Sequence, residues 1–280
     1  MMTILAILLT VAFLPLSPVS AAGELKGTNG KAGTEAVPIP LYHRFGPEVT
    51  DSMTVTTAYF ESQLKRFQDQ GYTFIPLRDL IDYQLRKRPS LPSRAVVITA
   101  DDGHKSVFTD MFPLLKKYHA PATLFLYPSA LSNAPYAMSW GQPKEMKATG
   151  LLDYQSHTFW HPNFKREKKR LRTDEYEALV DSQLKKAKVR LEKEFGSRVD
   201  MLAWPFGIYD EELMRRAAAA GYVAAFTMER HDVTLSDNLM ALPRYLMAGQ
   251  AEKKVRVGKA GGLGSLPGNH EQRAAAVLKE

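Results

Sequence analysis

From Val37 onward, short apolar runs alternate with longer stretches whose apolar residues recur at three-to-four spacing. The runs "VPIPLYH" (37–43), "YTFIPL" (72–77), "AVVITA" (95–100), "ATLFLY" (122–127), "LLDYQSH" (151–157), "MLAWP" (201–205), "YVAAFT" (222–227) and "MALPRY" (240–245) predict strands. Helices are expected from Thr57 to Gly71, over "LRDLIDYQLRKR" (77–88), from Lys105 to about Tyr118, and from Trp140 to Ala148 before Gly150. The clearest one follows Thr173, a plausible N-cap with Asp174 and Glu175 in the first turn. There Tyr176, Leu179, Val180, Leu184, Ala187, Leu191 and Phe195 share one face. Such alternation predicts an α/β domain with a parallel sheet, open or closed into a barrel. Chemistry in these architectures collects at the C-terminal ends of strands.

The chain has 280 residues, 45% of them hydrophobic and 24% charged, enough for one large domain with its own core. Residues 1–22 read differently. "ILAILLTVAFLPL" is continuously apolar and "SPVSAAG" then offers small residues for cleavage near Ala21 or Ala22, as in a signal peptide, although "MMT" lacks a basic residue. The run is shorter than the roughly 20 residues of a membrane span, so a secreted or periplasmic product without a stable membrane anchor is expected. A polar, glycine-rich leader (23–36) precedes the domain proper (37–250), and a basic, glycine-rich tail (251–280) follows it. The chain contains no cysteine, so export brings no disulfides and stability must come from the core. The net charge of +7 gathers in "KREKKRLR" (165–172) and "EKKVRVGK" (252–259). This is either a solvated surface or one drawn to an anionic envelope polymer or membrane. Nucleic acid is not expected, because no aromatic residues interleave with the charges.

Three strand ends carry candidate chemistry. In "TADDG" (99–103), Asp101 and Asp102 are neighbouring carboxylates that repel unless a cation or donor compensates. In "SHTFWHP" (156–162), His157 and His161 stand four apart, so a helical or tightly turned backbone brings both imidazoles to one side. Two imidazoles and a carboxylate make an open site for Zn²⁺ or a similar divalent ion. In "WPFG" (204–207), Pro205 and Gly207 set a turn with Trp204 and Phe206 beside it, and aromatic walls suit the apolar faces of a sugar ring.

In order and spacing these motifs resemble those of the polysaccharide deacetylases, the NodB-homology group or carbohydrate esterase family 4. The similarity runs from about Pro38 to Met247, and "YHRF" and "LPRY" are most similar to the branch that de-N-acetylates poly-N-acetylglucosamine. The resemblance implies a single-domain, distorted parallel (β/α) barrel acting on an N-acetylated polysaccharide. It implies Asp101 as general base and Asp102, His157 and His161 as ligands of the ion, by default Zn²⁺, with Co²⁺, Ni²⁺ or Fe²⁺ also compatible. It further implies an oxyanion donor in the backbone near Pro205 to Gly207, and a role for Thr158 in shaping the turn between the histidines.

Three positions depart from the family pattern. Ala100 replaces a bulkier residue. Ala203 stands where many members have an arginine that positions the base, and Arg244 in "LPRY" is the candidate replacement. The late Leu-x-His motif that supplies a general acid is absent; His231 in "ERHDV" is the nearest substitute. His104, directly after the aspartates and Gly103, could contact substrate, while His43 reads as a hydrogen-bonded structural imidazole at the rim. An O-acetyl xylan-type esterase, a small cyclic amide hydrolase of the same fold, and a non-catalytic carbohydrate-binding homologue remain the alternatives.

Overall fold

Buried on both faces, the apolar runs pair side by side as a parallel sheet. A computed structural model of the chain describes residues 36–249; the expected signal peptide, nearly all of the leader and the basic tail lie outside the described residues. Seven strands form the main sheet: β1 (Pro40–Tyr42), β6 (Ile98–Asp101), β7 (Ala122–Leu126), β8 (Leu152–Ser156), β9 (Met201–Ala203), β10 (Ala224–Phe226) and β11 (Tyr245–Leu246). Their order is β10-β9-β8-β7-β6-β1-β11, with every neighbouring pair parallel. The sheet curls into a half-barrel. Leu242 bridges Phe226 at one edge while Tyr245 and Leu246 pair with β1 at the other, so one short segment reaches both edges.

Strand periodicity divides the core in two. Ile98, Ala100, Leu124, Leu126, Tyr154, Leu202 and Ala225 face the helical layer. That layer consists of α1 (Thr57–Asp69), α3 (Phe112–Tyr118), α4 (Gly141–Lys147), α5 (Phe164–Arg170), α6 (Thr173–Phe195) and α7 (Glu211–Ala219). Ile39, Val97, Phe125, Met201, Ala203, Ala224 and Phe226 face the other way, into the curl, where Leu77, Leu80 and Ile81 of α2 (Leu77–Gln84) pack against them. Asp101 has the parity of Val97, so a carboxylate is directed at the inner face.

Most expected elements form, with local corrections. The run 95–100 is shared between two sheets: β5 (Ala95–Val96) pairs with β4 (Thr73–Phe74), and only Ile98–Asp101 joins the main sheet. "MALPRY" is chiefly a 3₁₀ turn, Leu239–Ala241, with a strand only from Tyr245. The helix expected from Lys105 opens as a π turn, Val107–Met111, because Pro113 has no N–H and its ring would meet the carbonyl four residues back; a wider turn relieves that clash. Helix α6 begins at Thr173, but its cap is Arg172, whose backbone N–H donates to the Glu175 carboxylate at 3.1 Å. Four elements were not anticipated. Strands β2 (Arg44–Gly46) and β3 (Thr54–Thr56) are too short to show a period. Helix α5 lies within the basic run, and α7 is capped by the Asp210 side chain.

At the opposite end of the sheet from the strand C-termini, Asp200 is fully buried ahead of β9 and ion-paired to Arg78 of α2 and to Arg198. Both arginines keep contact with solvent, which moderates the penalty of breaking the cluster. Asp200→Ala is therefore expected to cost about 2 kcal/mol, read as a lower urea midpoint at unchanged m-value.

Candidate active site

Register brings the chemistry together. Asp101 pairs with Phe125, Leu126 with Ser156, and Ser156 with Leu202, so the residues just beyond β6, β7, β8 and β9 surround one space. There the two adjacent aspartates separate. Asp101, 2% exposed, turns inward and receives both forks of the Arg244 guanidinium at 2.8 Å each. Arg244 is itself fully buried, donates through Nε to the Thr227 carbonyl at 3.1 Å, and lies over the Phe125 and Phe226 rings. Burial pushes the Asp101 carboxyl up, but the charge and hydrogen bonds of Arg244, with His157 and His43 nearby, outweigh it and hold the group below its ordinary range.

Asp102 goes the other way. Its φ of +72° centres a γ-turn in which the Gly103 N–H donates to the Asp101 carbonyl at 2.9 Å. Gly103 follows at φ +75°, and a Cβ there would lie 2.9 Å from Leu126 Cδ2, so glycine is required for conformation and for space. The turn swings Asp102 Oδ1 to 3.5 Å from His157 Nε2 and 3.8 Å from His161 Nε2.

The two histidines sit on a tight turn rather than a helix. Thr158 and His161 have φ of +63° and +60°, the Ser156 hydroxyl accepts the Thr158 N–H, and the Thr158 hydroxyl accepts the His161 N–H. With Asp102 and with Phe206 at +56°, four left-handed non-glycine residues gather around one space, the kind of strain that persists only where surrounding contacts enforce it. Burial, partly offset by Asp101, pushes the imidazoles of His157 and His161 down to about 4, so both are neutral at neutral pH. The ring of His157 is fixed: with the Ala203 carbonyl 2.8 Å from Nδ1, that nitrogen carries the proton and Nε2 presents its lone pair.

These observations test whether a divalent ion suits the residues. Asp102 Oδ1 is buried without a hydrogen-bond partner, and ligating atoms of Asp102, His157 and His161 all lie within 4.8 Å of one another. Separations of 3.5 and 3.8 Å are too long for hydrogen bonds. Tetrahedral ligands each about 2.1 Å from one ion stand about 3.4 Å apart, close to what is found. The donor set fits.

The other expected residues divide. Phe206 is half-buried with its ring 4.5 Å from that of His161. Gly207 spends its N–H on the Trp204 carbonyl and Pro205 has none, which leaves the Phe206 N–H as the donor of that turn without a partner among the described residues. Trp204 forms no sugar wall: it is 1% exposed and its indole N–H donates to the Met240 carbonyl, so it is a core residue. His104 sits at the rim, its Nδ1 2.8 Å from the Ser106 hydroxyl and its ring parallel to Tyr136. His231 is exposed in the loop after β10, two residues before Val233 bridges Val37 ahead of β1, and no side-chain contact joins it to the cluster.

His43 is a correction of another kind. It is 7% exposed at the end of β1, but its Nδ1 has no hydrogen-bond partner, and it lies within electrostatic reach of Asp101 and His161. Tyr127, directly after β7, went unnoticed in the sequence although its hydroxyl breaks an apolar strand end. Its ring stands 5.3 Å from that of His161, and its hydroxyl bonds that of Tyr136.

Arg244→Met should leave Asp101 buried without its counter-charge and cost about 3–5 kcal/mol at pH 7. In the parent protein the depressed Asp101 group contributes stability above its unfolded pKa of about 3.9, lost as pH falls. In the variant unopposed burial raises that group, so the deficit should narrow as pH drops and the carboxyl protonates. Urea midpoints at pH 7 and pH 5, with chelator present, check this.

With this geometry established, comparisons place the chain. A family model described as polysaccharide deacetylase matches residues 88–225. The poly-β-1,6-N-acetyl-D-glucosamine N-deacetylase of Staphylococcus epidermidis is 28% identical over 210 residues, 74% of this chain and 72% of that protein. Among solved structures, the deacetylase PplD of Streptococcus pyogenes in complex with acetate superposes with a TM-score of 0.68 at 23% identity, over 76% of this chain and 93% of that one. IcaB from Ammonifex degensii gives a TM-score of 0.68 at 24% identity, over 76% and 91%. The structures share the fold, the match covers the strand ends bearing both aspartates and both histidines, and the chain carries a polysaccharide deacetylase domain.

Proposed function

We propose that this chain is an exported, metal-dependent hydrolase that removes N-acetyl groups from N-acetylglucosamine units of a polysaccharide. The observation that carries the reading is the division of labour between Asp101 and Asp102. One carboxylate is held ionised by a buried arginine, and its neighbour faces two neutral imidazoles across a gap of ligand dimensions. The staphylococcal relatives named as N-deacetylases of poly-β-1,6-N-acetylglucosamine supply the substrate class. Export rests on the apolar segment 4–16 and the small residues after it; no described helix is long and apolar enough to cross a membrane.

Asp102, His157 and His161 would hold the ion, Zn²⁺ by default for one oxygen and two nitrogen ligands, and it would supply Lewis acidity toward water and the acyl oxygen. Asp101 has its Oδ2 3.8 Å from His157 Nε2, beside the same gap, and serves as general base for the attacking water. Arg244 keeps that base ionised and aimed. The Phe206 N–H donates to the oxyanion. His43 takes the place expected for His231, as the imidazole that hands a proton to the departing amine; its buried, unpartnered Nδ1 supports this.

The parent protein is expected to bind one divalent ion per chain and to release acetate from N-acetylglucosamine oligomers in preference to acetylated xylan. Asp101→Asn should keep the ion and lose about 100-fold or more in turnover, whereas His157→Ala should lose both. Elemental analysis paired with an acetate assay decides, and the reverse pattern would overturn the roles. On the same assay, His43→Ala should slow turnover about 100-fold and His231→Ala should not change it.

A further inference from the structure

The described surface exposes four large apolar side chains: Val49, Tyr136, Trp160 and Val189. Single exposed apolar residues are ordinary, but these are not scattered. Val189 lies on the outer face of α6. The other three sit on loops at the C-terminal end of the sheet, Trp160 next to a candidate ligand in the chain and Tyr136 one residue removed from the cluster through Tyr127. Trp160, 41% exposed, is the residue immediately before His161. Tyr136, 39% exposed, belongs to the loop after β7, which is tied to the histidine turn where the Ser129 N–H donates to the Phe159 carbonyl at 3.1 Å.

Both residues are anchored although half in water, Tyr136 through its ring and Trp160 through its backbone. The Tyr136 hydroxyl bonds Tyr127, its ring lies within 7° of parallel to His104, its carbonyl accepts the Lys105 N–H, and the next residue bridges His104. The backbone of Trp160 is fixed, its main-chain N–H donating at 2.9 Å to the side-chain oxygen of Gln183, a buried polar residue of α6. Tyr136 reaches the cluster through Tyr127, whose ring neighbours His161, while Trp160 adjoins His161 along the chain.

An exposed aromatic ring carried on a fixed backbone binds a flat apolar partner at reduced entropic cost. Pyranose units present such faces on their C–H side. We infer that Tyr136 and Trp160 are sugar-stacking platforms that grip N-acetylhexosamine units flanking the one being deacetylated, making the enzyme selective for chain length. This deepens the deacetylase reading and rests on it. It also reassigns the aromatic wall from buried Trp204 to two residues that substrate can reach. The basic residues Lys165, Arg166 and Lys169 just beyond the histidine turn do not compete for this role, because neutral N-acetylated units offer them no charge.

The test compares β-1,6-linked N-acetylglucosamine pentamer with the monomer and with an aryl acetate. Binding is followed calorimetrically in the Asp101→Asn background and turnover in the parent background. The pentamer should bind at least tenfold more tightly than the monomer, and Trp160→Ala and Tyr136→Ala should each weaken pentamer binding about fivefold. Each should raise KM for the pentamer more than it lowers kcat, and reduce the pentamer-to-aryl-acetate ratio of kcat/KM by a similar factor. Val189→Ser, exposed but remote on α6, should leave that ratio as in the parent and thereby control for surface substitution. If the parent releases acetate while both platform variants keep its chain-length preference, the platforms fall and the deacetylase reading stands. If the parent releases no acetate from any oligomer, the deacetylase reading falls and takes the platforms with it.

Discussion

A bidentate ion pair buried on both sides organises this molecule. Asp101 and Arg244, 143 residues apart, meet inside the curl of the sheet with both side chains almost wholly buried. Neither charge could remain there alone. The arginine therefore dictates where the last strand must lie, and the aspartate dictates which way β6 ends. Because Asp101 is committed inward, its neighbour is free to turn outward, and the γ-turn at Asp102 accomplishes this within one residue. Adjacent carboxylates that would otherwise repel end in unlike surroundings, one facing a guanidinium and the other facing two imidazoles.

The same arrangement explains where strain is tolerated. Left-handed backbone at Asp102, Thr158, His161 and Phe206 is unfavourable at each position and persists only where surrounding contacts enforce it. The Ser156 and Thr158 hydroxyls shape the histidine turn, α6 holds it through Gln183, and the Ala203 carbonyl of β9 sets the His157 tautomer. Orientation of the candidate ligands is thus shared among β6, β8, β9 and α6, and none of them could do it alone.

Much of this was legible in the chain. The alternating runs announce a parallel α/β sheet, and "DDG", "HTFWH" and "WPFG" stand at strand ends because register places them there. Other features were not legible, for physical reasons. Strands β2 and β3 have three residues each, too few to show a period. Trp204 and Trp160 are the same residue type at two strand ends, and only burial separates a core indole from an exposed one. His43 is similar: nothing in "LYHRF" says that one ring nitrogen will be buried without a partner, since that depends on what the rest of the fold packs around the end of β1. Arg244 could be nominated because a charge was missing at Ala203, but that it forks both oxygens of Asp101 is a property of packing.

The segment from Leu242 to Leu246 touches both margins of the sheet and carries the guanidinium between them. It is also among the last parts of the described fold in chain order. Without it the chain holds an unneutralised carboxylate in its middle, and closing the curl around that charge is unfavourable. Closure of the centre thereby depends on nearly the whole described fold: a fragment ending short of residue 244 would contain every candidate metal ligand but lack the group that keeps the neighbouring carboxylate charged.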